Sequence, residues 1–124
     1  IGHVGETAET IKETIHLAKE CNPDTIAFFQ ASPYPGTEFY NMVKEAGYLR
    51  PGLKWADYAI VSNQISTVDL PGLPAEQIHK WVKKAYRSFY LSPKFVFSRL
   101  KELRSMHDVK NLLQGAIIFL KLIK

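Results

Sequence analysis

The segment Pro33–Gly36, with the sequence Pro-Tyr-Pro-Gly, constrains the fold of this chain more than any other stretch. Two prolines and a glycine in four residues cannot continue a β-ladder or an α-helix, because proline lacks an amide hydrogen and fixes its own φ. The preceding segment, Thr25–Ser32, is mostly apolar at both odd and even positions, which is typical of a strand buried on both faces. The sequence therefore predicts a loop at the carboxyl end of a parallel strand, where α/β proteins bind ligands.

A glycine turn and an amphipathic helix precede this strand. Gly2 and Gly5 allow a sharp turn, Thr7 is suited to cap the helix, and an Asn-Pro pair at 22–23 ends it. The apolar face consists of Ile11, Ile15 and Ala18. Because a glycine turn, a helix and a buried strand follow one another, this part resembles the end of a βαβ unit.

The chain is predicted to have three parts: residues 1–47 with the turn, helix, strand and a second helix from Glu38, an irregular connection over 48–73, and a helical part over 74–124. The connection contains two Pro-Gly pairs and one short strand near Ile60 and Val61. Helices are predicted to begin at Pro74, at Ser92-Pro93 and at about Val109. The last helix carries an apolar stripe that is expected to pack on the helix over 78–89, the alternative being a free amphipathic anchor beside a basic face. The stripe consists of Leu112, Leu113, Ala116, Ile117, Leu120 and Ile123.

Charge is distributed unevenly along the chain. Residues 1–78 hold five Lys or Arg against ten Asp or Glu, a net of −5, whereas residues 79–124 hold eleven against two, a net of +9. The basic C-terminal part allows an alternative interpretation, in which the chain is a free-standing helical module that binds nucleic acid or an anionic surface. Solvated surface explains the excess of basic residues equally well.

Several classes of protein are excluded by composition. A single cysteine, Cys21, permits neither a disulfide scaffold nor a cysteine-ligated zinc or iron-sulfur site. No apolar run has the length of a transmembrane helix, and the N-terminus lacks the pattern of a signal peptide, so we expect a cytoplasmic protein. Because Ile1 leads directly into the glycine turn, we expect the chain to be a piece of a longer protein.

Two strings resemble a known family when they are read in order. Ile1–Thr7 (IGHVGET) before the helix and Pro33–Thr37 (PYPGT) after the strand are similar to strings in the closing portion of radical SAM barrels, most closely those of the cobalamin-binding type. Later segments resemble the extension beyond that barrel, namely Trp55–Tyr58, Leu73–Glu76 and Tyr86–Tyr90. The nearest named group is the anaerobic magnesium-protoporphyrin IX monomethyl ester cyclase branch, although Val4 replaces its usual proline.

The resemblance implies an α/β fold in which the chain supplies the closing helix and strand of a partial TIM-type barrel, followed by a mainly helical extension. It implies a parent radical SAM oxidoreductase that uses S-adenosylmethionine and a [4Fe-4S] cluster, with cobalamin as a further cofactor, on a tetrapyrrole or another hydrophobic substrate. The cluster cysteines lie upstream in this family, so the present chain is expected to be inactive by itself and to bind none of these cofactors. Its expected partners are the upstream part of the same chain and a small organic substrate; self-association and peripheral membrane contact stay open, and nucleic acid is not favoured.

Four residues are predicted to bind the nucleoside cofactor: Gly2, Gly5, Glu6 and Tyr34. Glycine lets a ligand approach the backbone, Glu6 could bind an amine or hydroxyl, and Tyr34 could stack on a flat ring. Each has a structural alternative, namely a strand-to-helix turn, a favourable charge at the helix N-terminus and an aromatic packed on its own loop. No catalytic residue and no metal ligand are predicted, because His16, His79 and His107 share no ligand spacing.

Overall fold

A computed structural model describes residues 1–59, 65–103 and 105–122 of the chain. Its helices are α1 (Ala8–Cys21), α2 (Glu38–Glu45), α3 (Ala75–Tyr90), α4 (Pro93–Glu102) and α5 (Met106–Leu122), with a short 3₁₀ turn at Trp55–Tyr58. Over these residues β pairing is limited to two isolated bridges, Leu49–Val68 and Leu70–Leu73. The described part of the chain is a small helical domain.

The predicted α/β class is therefore wrong, and so is the barrel strand expected at Thr25–Ser32. A strand needs a ladder on at least one side, and this segment lacks one among the described residues. Among the described residues its backbone pairs with Ile1, since the Ile1 nitrogen donates to the Phe29 carbonyl at 2.9 Å and the Ala31 N–H donates to the Ile1 carbonyl at 2.7 Å. The segment is also buried on one side only, because Phe28 is buried whereas Phe29 is 55% exposed.

Two alternate residues of that segment bond to tyrosine hydroxyls instead of to a neighbouring strand. The Phe28 N–H donates to the Tyr86 hydroxyl at 3.0 Å, and the Ile26 N–H donates to the Tyr90 hydroxyl at 3.2 Å. The Tyr90 hydroxyl in turn donates to the Ile26 carbonyl at 3.0 Å. Side chains of α3 thus satisfy backbone groups that a parallel strand would otherwise bond.

Thr7 and Ser92 are the capping residues that the sequence predicts, and Thr37 is a further one. Thr7 forms a reciprocal cap on α1, in which its hydroxyl accepts the Thr10 N–H at 3.3 Å and its own N–H donates to the Thr10 hydroxyl at 2.9 Å. Thr37 caps α2 and Ser92 caps α4 through their hydroxyl oxygens. Asn22 ends α1 in the left-handed conformation, with φ of 46°.

The hydrophobic core surrounds α3, which packs against α1 on one side and α4 on the other. Ile78 and Phe89 are fully buried and lie on the inner face of α3. Burial of side chains of this size stabilises the fold by about 1.5–3 kcal/mol each. The core is completed from the other elements by Ile11, Ile15, Phe28, Val43, Val68, Leu70, Leu73 and Phe95.

The connection after α2 is irregular, and its two ends lie side by side. The Arg50 N–H donates to the Thr67 carbonyl at 3.0 Å and the Asp69 N–H donates to the Tyr48 carbonyl at 2.8 Å. The Asp69 carboxylate also accepts the Ala75 N–H at 3.0 Å, which satisfies an amide at the start of α3. The short strand predicted near Ile60 and Val61 lies outside the described residues.

Helix α5 begins three residues before the predicted Val109 and does not join the core. Leu113 is 60% and Ile117 is 55% exposed, so the expectation that this stripe packs on α3 is wrong at these positions. The side chains of Leu120 and Ile123, which were expected to extend the stripe, lie outside the described ones. Within the described ranges, no helix has the length and apolar character needed to cross a bilayer.

Candidate functional site

Two segments that are far apart in sequence lie at one edge of the domain: the glycine turn, residues 2–6, and the proline-rich loop, residues 33–37. Ile1 is bonded to Phe29 and Ala31, directly before the loop. The His3 ring stacks on the Phe39 ring of α2, with centroids 4.5 Å apart and planes inclined by 12°. The fold therefore brings together the two regions in which the cofactor-binding residues were predicted.

The carboxylate of Glu6 closes the glycine turn. It accepts a hydrogen bond from the Gly2 N–H, and the Glu6 N–H donates to the His3 carbonyl at 3.0 Å. A charged acceptor on a backbone amide is among the stronger hydrogen bonds in proteins. Glu6 thus has a structural role in this turn, and its predicted contact with a cofactor stays a prediction.

The two glycines of the turn have different surroundings. Gly2 is buried with φ of +98°, and a Cβ there would lie 3.0 Å from Cγ2 of Ile78 on α3. Close packing on the core helix therefore accounts for glycine at this position. Gly5 is exposed with φ of +82°, and a Cβ there would meet nothing within 4 Å. Of the two, Gly5 is the one whose backbone a ligand can approach.

Tyr34 is anchored through its backbone and exposes its ring. Its carbonyl accepts the Thr37 hydroxyl at 2.7 Å and the Thr37 N–H at 3.1 Å, while the residue is 40% exposed. The ring centroids of Tyr34 and Tyr58 are 6.3 Å apart, and those of Tyr58 and Trp55 are 6.1 Å apart. We call Tyr34, Tyr58 and Trp55 the aromatic row.

The sequence predicts Tyr34 as a site residue but does not predict Trp55 and Tyr58 as its neighbours. The only signal was the spacing of the two aromatics in the Trp-Ala-Asp-Tyr string, which places both rings on one 3₁₀ turn. Trp55 is 78% exposed, so its ring is open to a ligand, whereas Tyr58 is buried.

Tyr58 is held in its neutral form. Burial raises the pKa of its phenol above the ordinary value of 10.0. Tyr40, when its own phenol is ionised, and the Asp57 carboxylate raise this pKa further because their negative charges repel a phenolate. A phenol of this kind can pack and donate a hydrogen bond but does not act as a base near neutral pH.

The donor set for a [4Fe-4S] cluster is absent from the described part of the chain. No three His, Cys, Asp or Glu side chains come together there as a metal site, and the exposed Cys21 is the chain's one thiol. Such clusters are held by several thiolates. The residues present therefore do not fit an iron-sulfur cluster.

The basic part of the chain uses some of its cations within the fold. Arg99 forms an ion pair with Asp24 at 2.6 Å, and Lys94 donates to the Glu20 carbonyl at 2.9 Å. These contacts hold α4 against the end of α1 and the segment that follows it. On α3, the Lys84 ammonium lies over the Trp81 ring, 4.4 Å from its centroid. Binding of nucleic acid or an anionic surface by the remaining exposed cations stays a prediction.

Comparison with known proteins gives one informative likeness. No family profile matches the chain, and no solved structure matches it. A protein of Pyrococcus horikoshii, described as an uncharacterized methyltransferase, is 35% identical to it over 102 residues. The likeness covers 82% of this chain and 21% of that protein. The chain thus spans about a fifth of the length of the curated relative that it matches.

Proposed function

We propose that this chain is one part of a larger methyltransferase that uses S-adenosylmethionine, and that the glycine turn and the Pro33–Thr37 loop lie beside the bound cofactor. The observation that carries the proposal is the 35% identity to a methyltransferase over 102 residues, a stretch long enough to include most of the chain. The stacked rings of His3, in the first resembling string, and Phe39, two residues after the second string, support a shared site.

The finer proposal is that the parent enzyme belongs to the radical SAM group. It rests on the resemblance of the strings Ile1–Thr7 and Pro33–Thr37 and places the iron-sulfur cluster on another part of the protein, because the donors described in this chain do not fit one. Methyl transfer replaces oxidation as the proposed outcome, in keeping with the description of the relative. Cobalamin and a tetrapyrrole substrate rest on the resemblance alone.

The residues of this chain divide into those that shape the site and those that face it. Gly2 and Glu6 form the turn, since the first packs on Ile78 and the second accepts its N–H. Gly5 offers exposed backbone, and Tyr34 offers an exposed ring for stacking on an adenine or another flat group. Bound S-adenosylmethionine would supply the transferred methyl group or, after one-electron reduction, a deoxyadenosyl radical.

The test uses the whole protein that contains this chain, prepared without oxygen. Transfer of label from methyl-labelled S-adenosylmethionine tests methyl transfer, and formation of 5′-deoxyadenosine after reduction tests the radical mechanism. Label transfer without deoxyadenosine would support a methyltransferase and overturn the radical proposal. If neither a labelled product nor 5′-deoxyadenosine forms with any substrate tried, including a tetrapyrrole, both proposals are contradicted.

A matched pair of variants tests the placement of Gly5. Asparagine tolerates positive φ, so Gly5→Asn adds a side chain where the structure has open space. Gly47→Asn is the control, because Gly47 also has positive φ and open space but lies at the far end of α2. We expect Gly5→Asn to raise the KM for S-adenosylmethionine by about tenfold and the control to change it little. Equal values for the two variants would remove Gly5 from the site.

A further inference from the structure

A cleft of about 620 Å³ separates α5 from the rest of the domain, away from the glycine turn. Its inner wall contains residues 24–27, the end of α3 and one side of α4, and α5 forms the outer wall. This volume lies within the range of about 300–1,000 Å³ that is usual for small-molecule sites. The large apolar and aromatic side chains that line the cleft include Tyr86, Tyr90, Phe95, Leu100 and Leu112.

The tyrosine hydroxyls of the inner wall are bonded to backbone groups. The hydroxyls of Tyr86 and Tyr90 are bonded to the backbone of Phe28 and Ile26, at 3.0 Å and 3.2 Å. The Tyr90 hydroxyl also donates to the Ile26 carbonyl at 3.0 Å, so a ligand that needed a hydrogen bond from it would have to break an existing one. The tyrosine rings therefore offer the cleft their apolar surface.

The charged groups of the inner wall are likewise matched. Arg99 is paired with Asp24 at 2.6 Å, and its guanidinium also lies over the Phe95 ring at 5.4 Å. An anionic ligand would compete with the Asp24 carboxylate for the same cation, and a cationic ligand would compete with Arg99. The wall is therefore complementary to an uncharged molecule.

Gly115 lies on the α5 side of the cleft. It lines the cleft within the helix, and a Cβ there would meet nothing within 4 Å. Glycine inside a helix costs about 1 kcal/mol relative to alanine, so its presence needs a reason other than helix stability. Space for a ligand between α5 and the tyrosine rings supplies such a reason.

We propose that this cleft binds an uncharged, elongated apolar molecule, such as a hydrocarbon chain or a linear polyene, between the Tyr86 and Tyr90 rings and α5. The bound molecule covers Leu100 and Leu112, which are 49% and 36% exposed without it. The proposal does not depend on methyl transfer, because the cleft shares no residue with the glycine turn or the aromatic row.

The test uses the 124-residue chain and the neutral polyene diphenylhexatriene, which fluoresces only in apolar surroundings. We expect saturable binding with one molecule per chain. Gly115→Phe fills the cleft and should weaken binding by at least about tenfold. The matched control is Gln114→Phe, which adds the same ring at the neighbouring, exposed position outside the cleft. Gly115→Leu is a second filling variant with a stronger preference for helix, and circular dichroism checks that all variants fold.

Any one of four results would overturn the proposal. The first is fluorescence that rises without saturation, and the second is equal binding by the Gly115→Phe and Gln114→Phe variants. The third is a chain that sediments as a dimer and becomes monomeric in Gly115→Phe, because a second copy would then occupy the cleft. Preferential binding of anionic cis-parinaric acid over diphenylhexatriene would also contradict an uncharged occupant.

Discussion

The backbone N–H of Phe28 donates to the hydroxyl of Tyr86 at 3.0 Å, within the buried interface between the segment before the proline-rich loop and α3. The two rings meet edge to face, with centroids 5.4 Å apart. One tyrosine thus supplies both apolar contact and the hydrogen-bond partner that a neighbouring strand would supply in a sheet.

Loss of this hydroxyl should destabilise the domain. In Tyr86→Phe the ring remains but the buried N–H of Phe28 loses its partner, so we expect the free energy of unfolding to fall by about 1–3 kcal/mol. Urea denaturation followed by circular dichroism measures the change. Tyr34→Phe is the control, because the Tyr34 ring is exposed, and a loss of the same size in both variants would contradict this role of Tyr86.

Contact between the glycine turn and α3 should appear as coupling between Gly2 and Ile78. Gly2→Ala introduces a Cβ 3.0 Å from Ile78 and a side chain at φ of +98°, so we expect it to be more destabilising than Gly5→Ala, which has positive φ but open space. A double-mutant cycle with Ile78→Ala isolates the clash. We expect the two losses in unfolding free energy to be less than additive by about 0.5–3 kcal/mol, and strict additivity would show that the two sites do not touch.

Alkaline pH should destabilise the domain through Tyr58. Because the pKa of Tyr58 is raised in the folded state, its contribution to stability is fully present below the unfolded value of 10.0 and is lost as pH rises through the folded pKa. We expect Tyr58→Phe to show a smaller fall in unfolding free energy between about pH 9 and pH 11 than the parent chain. Tyr34→Phe serves as the comparison, and identical pH profiles for the parent and Tyr58→Phe would refute the assignment.

Helix α5 should be removable without loss of the core. The buried cluster of the described residues includes Phe95 of α4 but no residue of α5, so a chain ending at Ser105 should keep its cooperative unfolding and nearly the same Tm. A chain ending at Leu91 is the matched comparison and should lose stability, because it also removes Phe95 from its contacts with Phe89 and Tyr90. The shorter chain ending at Ser105 should no longer bind diphenylhexatriene. A large drop in Tm on removal of α5 alone would show that it is part of the core.

The sequence alone was sufficient to predict most helix boundaries. Thr7, Thr37 and Ser92 act through atoms of their own turn, and Asn22 ends α1 through its own backbone conformation. Such signals are local, because a cap needs only residues three or four positions away. The sequence also predicts one site formed by the glycine turn and the proline-rich loop, and this site stays a prediction, although Ile1 does bond to Phe29 and Ala31 directly before the loop.

Tertiary structure decided what the apolar segment before the loop becomes and how the predicted site residues are used. An apolar run becomes a strand only when a partner strand bonds its backbone, and here Tyr86 and Tyr90 bond it instead, which no local pattern at Thr25–Ser32 encodes. Gly2 and Gly5 are alike in sequence, but only Gly2 packs on Ile78, because that contact joins residues distant in the chain. The exposure of α5 is decided in the same way, since an amphipathic stripe indicates that a face needs cover but not which element supplies it.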